Sequence, residues 1–129
     1  LSGIPNSMPS LIKAYRMQEK AANVGFDWEK KEDVWEKVRE EIAEVEAEME
    51  KGDKVNCEKE FGDLIFSLVN AARLYDINPD NALELTNAKF RRRFNHVEEN
   101  SKAKGLNLKD MSLEEMDALW NEAKESEKA

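Results

Sequence analysis

The chain has 129 residues, enough for one domain with a real core but not for two. Its 20 basic and 28 acidic residues give a net charge of -8, which excludes generic binding to nucleic-acid polymers, since that needs a basic face. A single cysteine, Cys57, excludes an internal disulfide and a cysteine-rich zinc site. It reads as a reduced cytoplasmic thiol, and no apolar run is long enough to span a membrane.

Five glycines and three prolines are few for this length, and they leave long runs without a breaker. An all-β chain needs turn signals every ~8–12 residues, so helices are predicted instead. Residues 1–8 form an irregular lead-in. A first helix covers about Pro9 to Val24, with Leu11, Ile12, Tyr15 and Ala22 inward, and stops at Gly25. Gly25-Phe26-Asp27-Trp28 is a turn, and a second helix runs from about Lys31 to Lys51. The third covers about Val55 to Tyr75. The fourth opens at Asn78-Pro79-Asp80, an N-cap followed by proline at the first helical position, and ends near Gly105. The fifth starts at Ser112-Leu113-Glu114-Glu115, a capping box, with Met111 and Met116 as a hydrophobic staple. The expectation is one all-α domain over residues 1–129, a five-helix, four-helix-bundle-like fold. Because the first residue is Leu1, it reads as a possible fragment of a longer two-domain chain.

The second helix carries an apolar stripe of Val34, Trp35, Val38, Ile42, Val45 and Met49, flanked by Lys37, Glu41, Glu44 and Glu48. Glu40 projects further toward solvent. The third helix is nearly all apolar from Phe61 to Tyr75, which predicts burial around most of its circumference. Yet Asn56, Glu60, Asp63, Ser67 and Asn70 share one strip of its surface. Two carboxylate pairs on adjacent antiparallel helices bring four like charges together, and such a set needs neutralising cations. An all-oxygen donor set suits Mg²⁺, with Mn²⁺ as a substitute.

A di-iron bundle requires a Glu-x-x-His on each of two helices, and the only histidine, His96, has Arg93 three residues before it. A Nudix box is rejected because Lys31, Ala43 and Glu46 occupy positions where it needs Glu, Glu and Gly. On the fourth helix Leu83, Thr86, Phe90, Phe94 and Val97 face inward, and Lys89 and Arg93 share one flank. Beside a carboxylate cluster, that pair suits a polyphosphate. Gly62 sits inside the third helix between Glu60 and Asp63, which predicts a close approach by a neighbouring helix.

Glu40-Glu41-Ile42-Ala43-Glu44, followed after 15 residues by Glu60-Phe61-Gly62-Asp63, resembles the EExxE…ExxD signature of MazG-type nucleoside triphosphate pyrophosphohydrolases. The likeness extends through Gln18-Glu19-Lys20-Ala21-Ala22, Gly25-Phe26-Asp27-Trp28, Lys37-Val38-Arg39, Asp63-Leu64-Ile65-Phe66, Asn87-Ala88-Lys89-Phe90 and Arg92-Arg93-Phe94. The resemblance implies an all-α homodimeric fold and cleavage of nucleoside triphosphates between the α and β phosphorus atoms, giving a monophosphate and pyrophosphate. It implies Glu41, Glu44, Glu60 and Asp63 as Mg²⁺ ligands at the catalytic centre. A carboxylate not fully engaged with the metal, Glu41 or Glu44, is the expected acceptor of the attacking water's proton. Lys37, Lys89 and Arg93 would contact phosphates, and Trp120 would lie near the nucleotide. Trp120 also reads as a core side chain, packed with Met116 and Leu119. Two alternatives stand beside this activity: a house-cleaning enzyme selective for one modified or deoxy nucleotide such as dUTP or dCTP, and a catalytically silent regulatory module.

Overall fold

A computed structural model describes residues 1–128. Among them every regular element is helical: α1 (Ser10–Asn23), α2 (Val34–Lys51), α3 (Lys54–Leu74), α4 (Pro79–Ala103) and α5 (Leu113–Ser126). The all-α, five-helix reading of the sequence is therefore what the chain adopts. Two short 3-10 turns, Lys31–Asp33 and Leu108–Asp110, add detail that the sequence pattern did not predict. The first delays the start of α2 by one turn. No helix among the described residues is long and apolar enough to cross a membrane.

The chain divides into two compact units, Leu1–Ala82 and from Leu83 onward, with the boundary inside α4. In the first unit, α2 ends on Gly52 in the left-handed region at φ 73°, and its N–H returns to the Glu48 and Met49 carbonyls. The Asp53 carboxylate then accepts the Asn56 backbone N–H at 3.2 Å, which caps α3. So short a connection makes the two helices antiparallel neighbours. Accordingly Val34 and Val38, early on α2, pack with Ala71 and Leu74, late on α3, and Trp28 and Tyr75 close over them.

Two side-chain links tie the rest of this unit to α3. Gln18 on α1 donates from Nε2 to the Phe66 carbonyl at 3.0 Å. Arg73 grips Asp27 with Nη2 to Oδ1 at 2.6 Å and Nη1 to Oδ2 at 3.2 Å. Both pairings are long-range, and neither follows from helical periodicity.

In the second unit Val97 and Ser101 on α4, and Leu119 and Ala123 on α5, are buried. The predicted capping box opens α5: the Ser112 N–H donates to Glu115 Oε1 at 3.0 Å, and the Glu115 N–H donates to Ser112 Oγ at 3.1 Å. On the first-unit side of the boundary, Asn78 caps α4 by accepting the Asn81 N–H at 3.1 Å.

Burial departs from the sequence expectation in one respect. The α3 side chains Phe61, Ile65, Phe66 and Leu68 remain 42–49% exposed, as do Trp35, Ile42 and Met49 on α2 at 41–52%. Leu83 and Phe90 on α4 are exposed too. An α3 helix apolar around most of its surface is thus covered on one side only. Gly62 differs as well: a Cβ built there meets nothing within 4 Å, so no neighbouring helix of this chain approaches it.

Candidate metal centre

The antiparallel pairing of α2 and α3 sets two acidic motifs against each other. On α2, residues three and four apart share a face, so Lys37, Glu41 and Glu44 rise along one line. On α3 the same spacing aligns Glu60 with Asp63. One carboxylate oxygen each from Glu41, Glu60 and Asp63 lies within 4.8 Å of the other two, and the same holds for Glu40, Glu41 and Glu44. Glu41 belongs to both groups. Of the four acidic positions picked from the sequence, Glu41, Glu60 and Asp63 thus share one group, and Glu44 adjoins it through Glu41 and a hydrogen bond with the Glu60 carboxyl. Glu40, read as pointing away, contributes an oxygen to the outer group even though its side chain is 57% exposed.

Glu41 is 4% exposed, a costly place for a charge. Lys37 offsets part of that cost, with Nζ 2.9 Å from Glu41 Oε1 and 3.6 Å from Glu40 Oε1. The hydrogen bond to Glu41 raises the Lys37 ammonium above its ordinary pKa. Lys37 thus serves as an internal counter-ion. Glu41 Oε2 nevertheless has no hydrogen-bond partner, nor does the buried Oε2 of Glu60. Glu44, at the exposed edge, is pushed above the usual carboxylate range by its hydrogen bond with the Glu60 carboxyl and then by the Glu41 charge.

This donor set fits a hard cation. Buried carboxylate oxygens without donors, converging from two helices, are the arrangement that Mg²⁺ or a related ion neutralises. Glu48 extends the acidic line by one turn. Its Oε2 is also buried without a partner, while Oε1 accepts from Lys51 Nζ at 3.4 Å.

Of the basic and aromatic residues picked from the sequence, Lys37 lies on α2 in the first unit, whereas Lys89, Arg93 and Trp120 lie in the second. The Arg93 guanidinium stands 5.6 Å from the Trp120 ring centroid, and Phe90 tilts against that ring at 5.3 Å. Trp120 is half-buried, consistent with a core side chain that keeps one accessible part. Lys89 is exposed.

Arg93 is not free. Its Nη2 lies 2.8 Å from Glu127 Oε2, and Arg92 Nε donates to Glu127 Oε1 at 3.0 Å. The Arg93 hydrogen bond, aided by Arg92, holds the Glu127 carboxyl down at about 2. Sequence reasoning missed Glu127 because its partners are 34 and 35 residues away. It missed the Asp27–Arg73 pair for the same reason.

Residues 29–98, which include the whole carboxylate set, match the MazG nucleotide pyrophosphohydrolase domain. The Escherichia coli (strain K12) nucleoside triphosphate pyrophosphohydrolase is 43% identical over 129 residues, covering 98% of this chain and 49% of the relative. The Thermotoga maritima nucleoside triphosphate pyrophosphohydrolase/pyrophosphatase MazG is 42% identical over 117 residues, 91% of this chain and 45% of its own length. An uncharacterized Bacillus subtilis protein, YabN, is 60% identical over 73 residues, 57% of this chain but 15% of that protein. The chain thus spans about half the length of two of these relatives and a smaller part of the third. With the acidic motifs lying inside a match that covers more than half of it, the chain belongs to the MazG nucleotide pyrophosphohydrolase domain family.

Proposed function

We propose that this chain hydrolyses nucleoside triphosphates between the α and β phosphorus atoms, releasing a nucleoside monophosphate and pyrophosphate. The observation that carries the reading is the pair of buried, unpartnered oxygens, Glu41 Oε2 and Glu60 Oε2, on two residues whose carboxylates group with that of Asp63. Acceptors left in that state call for a cation. Glu41, Glu44, Glu60 and Asp63 would hold Mg²⁺, with Mn²⁺ able to replace it. When bound, such an ion supplies charge neutralisation and Lewis acidity at the phosphate.

The chain's own groups do the rest. Glu41 or Glu44 takes the proton from the nucleophile that attacks the α-phosphorus, and of these two Glu44 is the one exposed to water. Lys37 balances the Glu41 charge and offers its ammonium to a phosphate oxygen. Lys89 and Arg93 stabilise the charge that accumulates on departing pyrophosphate, with Trp120 beside the nucleotide. Both compact units serve this one activity as a single MazG-like domain. The free Cys57 thiol fits a reducing compartment such as the cytoplasm.

A second copy of the chain covers the apolar ridge. Trp35, Ile42 and Met49 recur every seven residues on α2, and Phe61, Ile65 and Leu68 follow the same seam spacing on α3. Exposed apolar side chains repeated along two packed helices mark an association surface.

A panel of ribo- and deoxynucleoside triphosphates incubated with Mg²⁺, scored for pyrophosphate against orthophosphate, tests the activity. Pyrophosphate as the direct product supports it. Direct release of orthophosphate, or no product with any divalent metal, refutes it.

A further inference from the structure

A cavity of about 520 Å³, lined by none of Glu41, Glu44, Glu60 and Asp63, lies in the first unit between α1, α3 and the turn that precedes α2. Its size falls within the ~300–1,000 Å³ range of small-molecule sites. Its walls include the aromatic rings of Phe26, Trp28 and Phe66, and four polar side chains, Gln18, Asp27, Asn70 and Arg73.

The orientations of the two amides are fixed by their partners. Gln18 is 5% exposed, and its Nε2 must face Phe66 because a backbone carbonyl only accepts. That leaves Gln18 Oε1 as a buried acceptor without a donor. Asn70 is set the opposite way. Arg73, which only donates, bonds Asn70 Oδ1 from Nε at 3.0 Å and from Nη2 at 2.8 Å, so Nδ2 is the remaining donor. Arg73 is itself locked on Asp27, and Asp27 Oδ1 accepts the Trp28 backbone N–H at 2.8 Å. One network therefore holds the aromatic wall and the donor together.

The cavity also has a fixed relation to the metal centre. Asn70 follows Asp63 by seven residues on α3, which is ~10.5 Å along the axis and within about 20° of the same direction. A sugar can bridge from a phosphate at Asp63 to a ring beside Asn70.

We propose that this cavity takes the nucleobase of the substrate, with Gln18 Oε1 and Asn70 Nδ2 pairing with its hydrogen-bonding edge. An aromatic-walled site that presents one acceptor and one donor suits a flat heterocycle whose edge carries both. This inference rests on the proposed nucleotide chemistry and adds where base selectivity resides.

Gln18→Met and Asn70→Ala each remove one edge contact. Phe26→Ala removes a wall residue that is 82% exposed, so the fold survives it. Steady-state rates with each triphosphate should show KM rising about tenfold for the preferred base in either amide variant, with kcat changing less. The ranking of bases should flatten in both. Folded variants that keep the wild-type ratios of kcat/KM among bases overturn the proposal.

A second measurement needs no hydrolysis and no metal: the side-chain amide NMR signals of Gln18 and Asn70 during titration with a nucleoside monophosphate or with ribose 5-phosphate. Shifts with the nucleotide alone support the base site. Equal shifts with both, or none with either, overturn it. Shifts with the nucleotide in a protein that releases no pyrophosphate would refute the proposed activity and leave the base site standing.

Discussion

Lys37 Nζ sits 2.9 Å from Glu41 Oε1, and the two residues share one face of α2 a single turn apart. The contact joins a half-buried cation to a carboxylate with almost no access to water. It makes Lys37 both a counter-ion for the acidic cluster and a competitor for whatever cation the cluster holds. Replacing it with methionine removes the internal positive charge and keeps the stem. The apo protein should lose stability, and the gain in melting temperature on adding Mg²⁺ should exceed that of wild type. Thermal melts of both proteins with and without Mg²⁺ measure this. An equal or smaller gain would show that Lys37 is not the cluster's counter-ion.

Asp63 and Glu60 are one turn of α3 apart, and Asp63 is the more exposed of the two. Asp63→Ala should therefore fold normally while removing one ligand oxygen from the inner group. Loss of Mg²⁺-dependent turnover should exceed the ~10–100-fold typical of outer partners of a metal site. A variant with wild-type turnover would sink the assignment of these carboxylates.

What could be read from the sequence was local or periodic. Gly52, Asn78 and the Ser112–Glu115 box act within one turn of themselves, so their roles follow from neighbours in sequence. The grouping of Glu41 with Glu60 and Asp63, and of Glu44 with Glu41, follows from helical spacing on two helices with a short connection. The hidden part depends on distant pairing. Gln18 against the Phe66 carbonyl and Asp27 against Arg73 are 48 and 46 residues apart, and no periodicity predicts either. The apolar α3 shows a different limit: composition states that a helix must be covered, but not by which surface.

Glu127 is the partner the sequence reading left out for Arg93, and it bears on that residue's role. If Arg93 neutralises pyrophosphate, Glu127 competes with the substrate for it. Glu127→Gln should then lower KM for nucleoside triphosphates with little change in kcat. A higher KM would mean that Glu127 orients Arg93 rather than occupying it.

The same pair sets a pH dependence. Its folded carboxyl is held at about 2, below the ordinary 4.5, so the pair's contribution to stability is present above 4.5. It should fade as the pH falls from 4.5 toward 2. Melts of wild type and Glu127→Gln across that interval should converge at the acid end. A difference that stays constant would contradict the depressed carboxyl.

Gly62 sits between two proposed ligands, where sequence reasoning expected a helix to pass close by. In the folded chain nothing lies within 4 Å of the position a Cβ would take, and the backbone there is ordinary helix. Alanine at this site therefore meets no clash within the protomer and restricts the unfolded chain. Gly62→Ala should stabilise the protomer by up to ~1 kcal/mol. Urea denaturation at low protein concentration reads that value without a contribution from association. If a second copy packs its helix against this point, the alanine variant should also dissociate at a higher protein concentration than wild type. Stabilisation of the protomer together with weakened association would place Gly62 in the seam between copies. Stabilisation with unchanged association would leave it a helix glycine without a packing role.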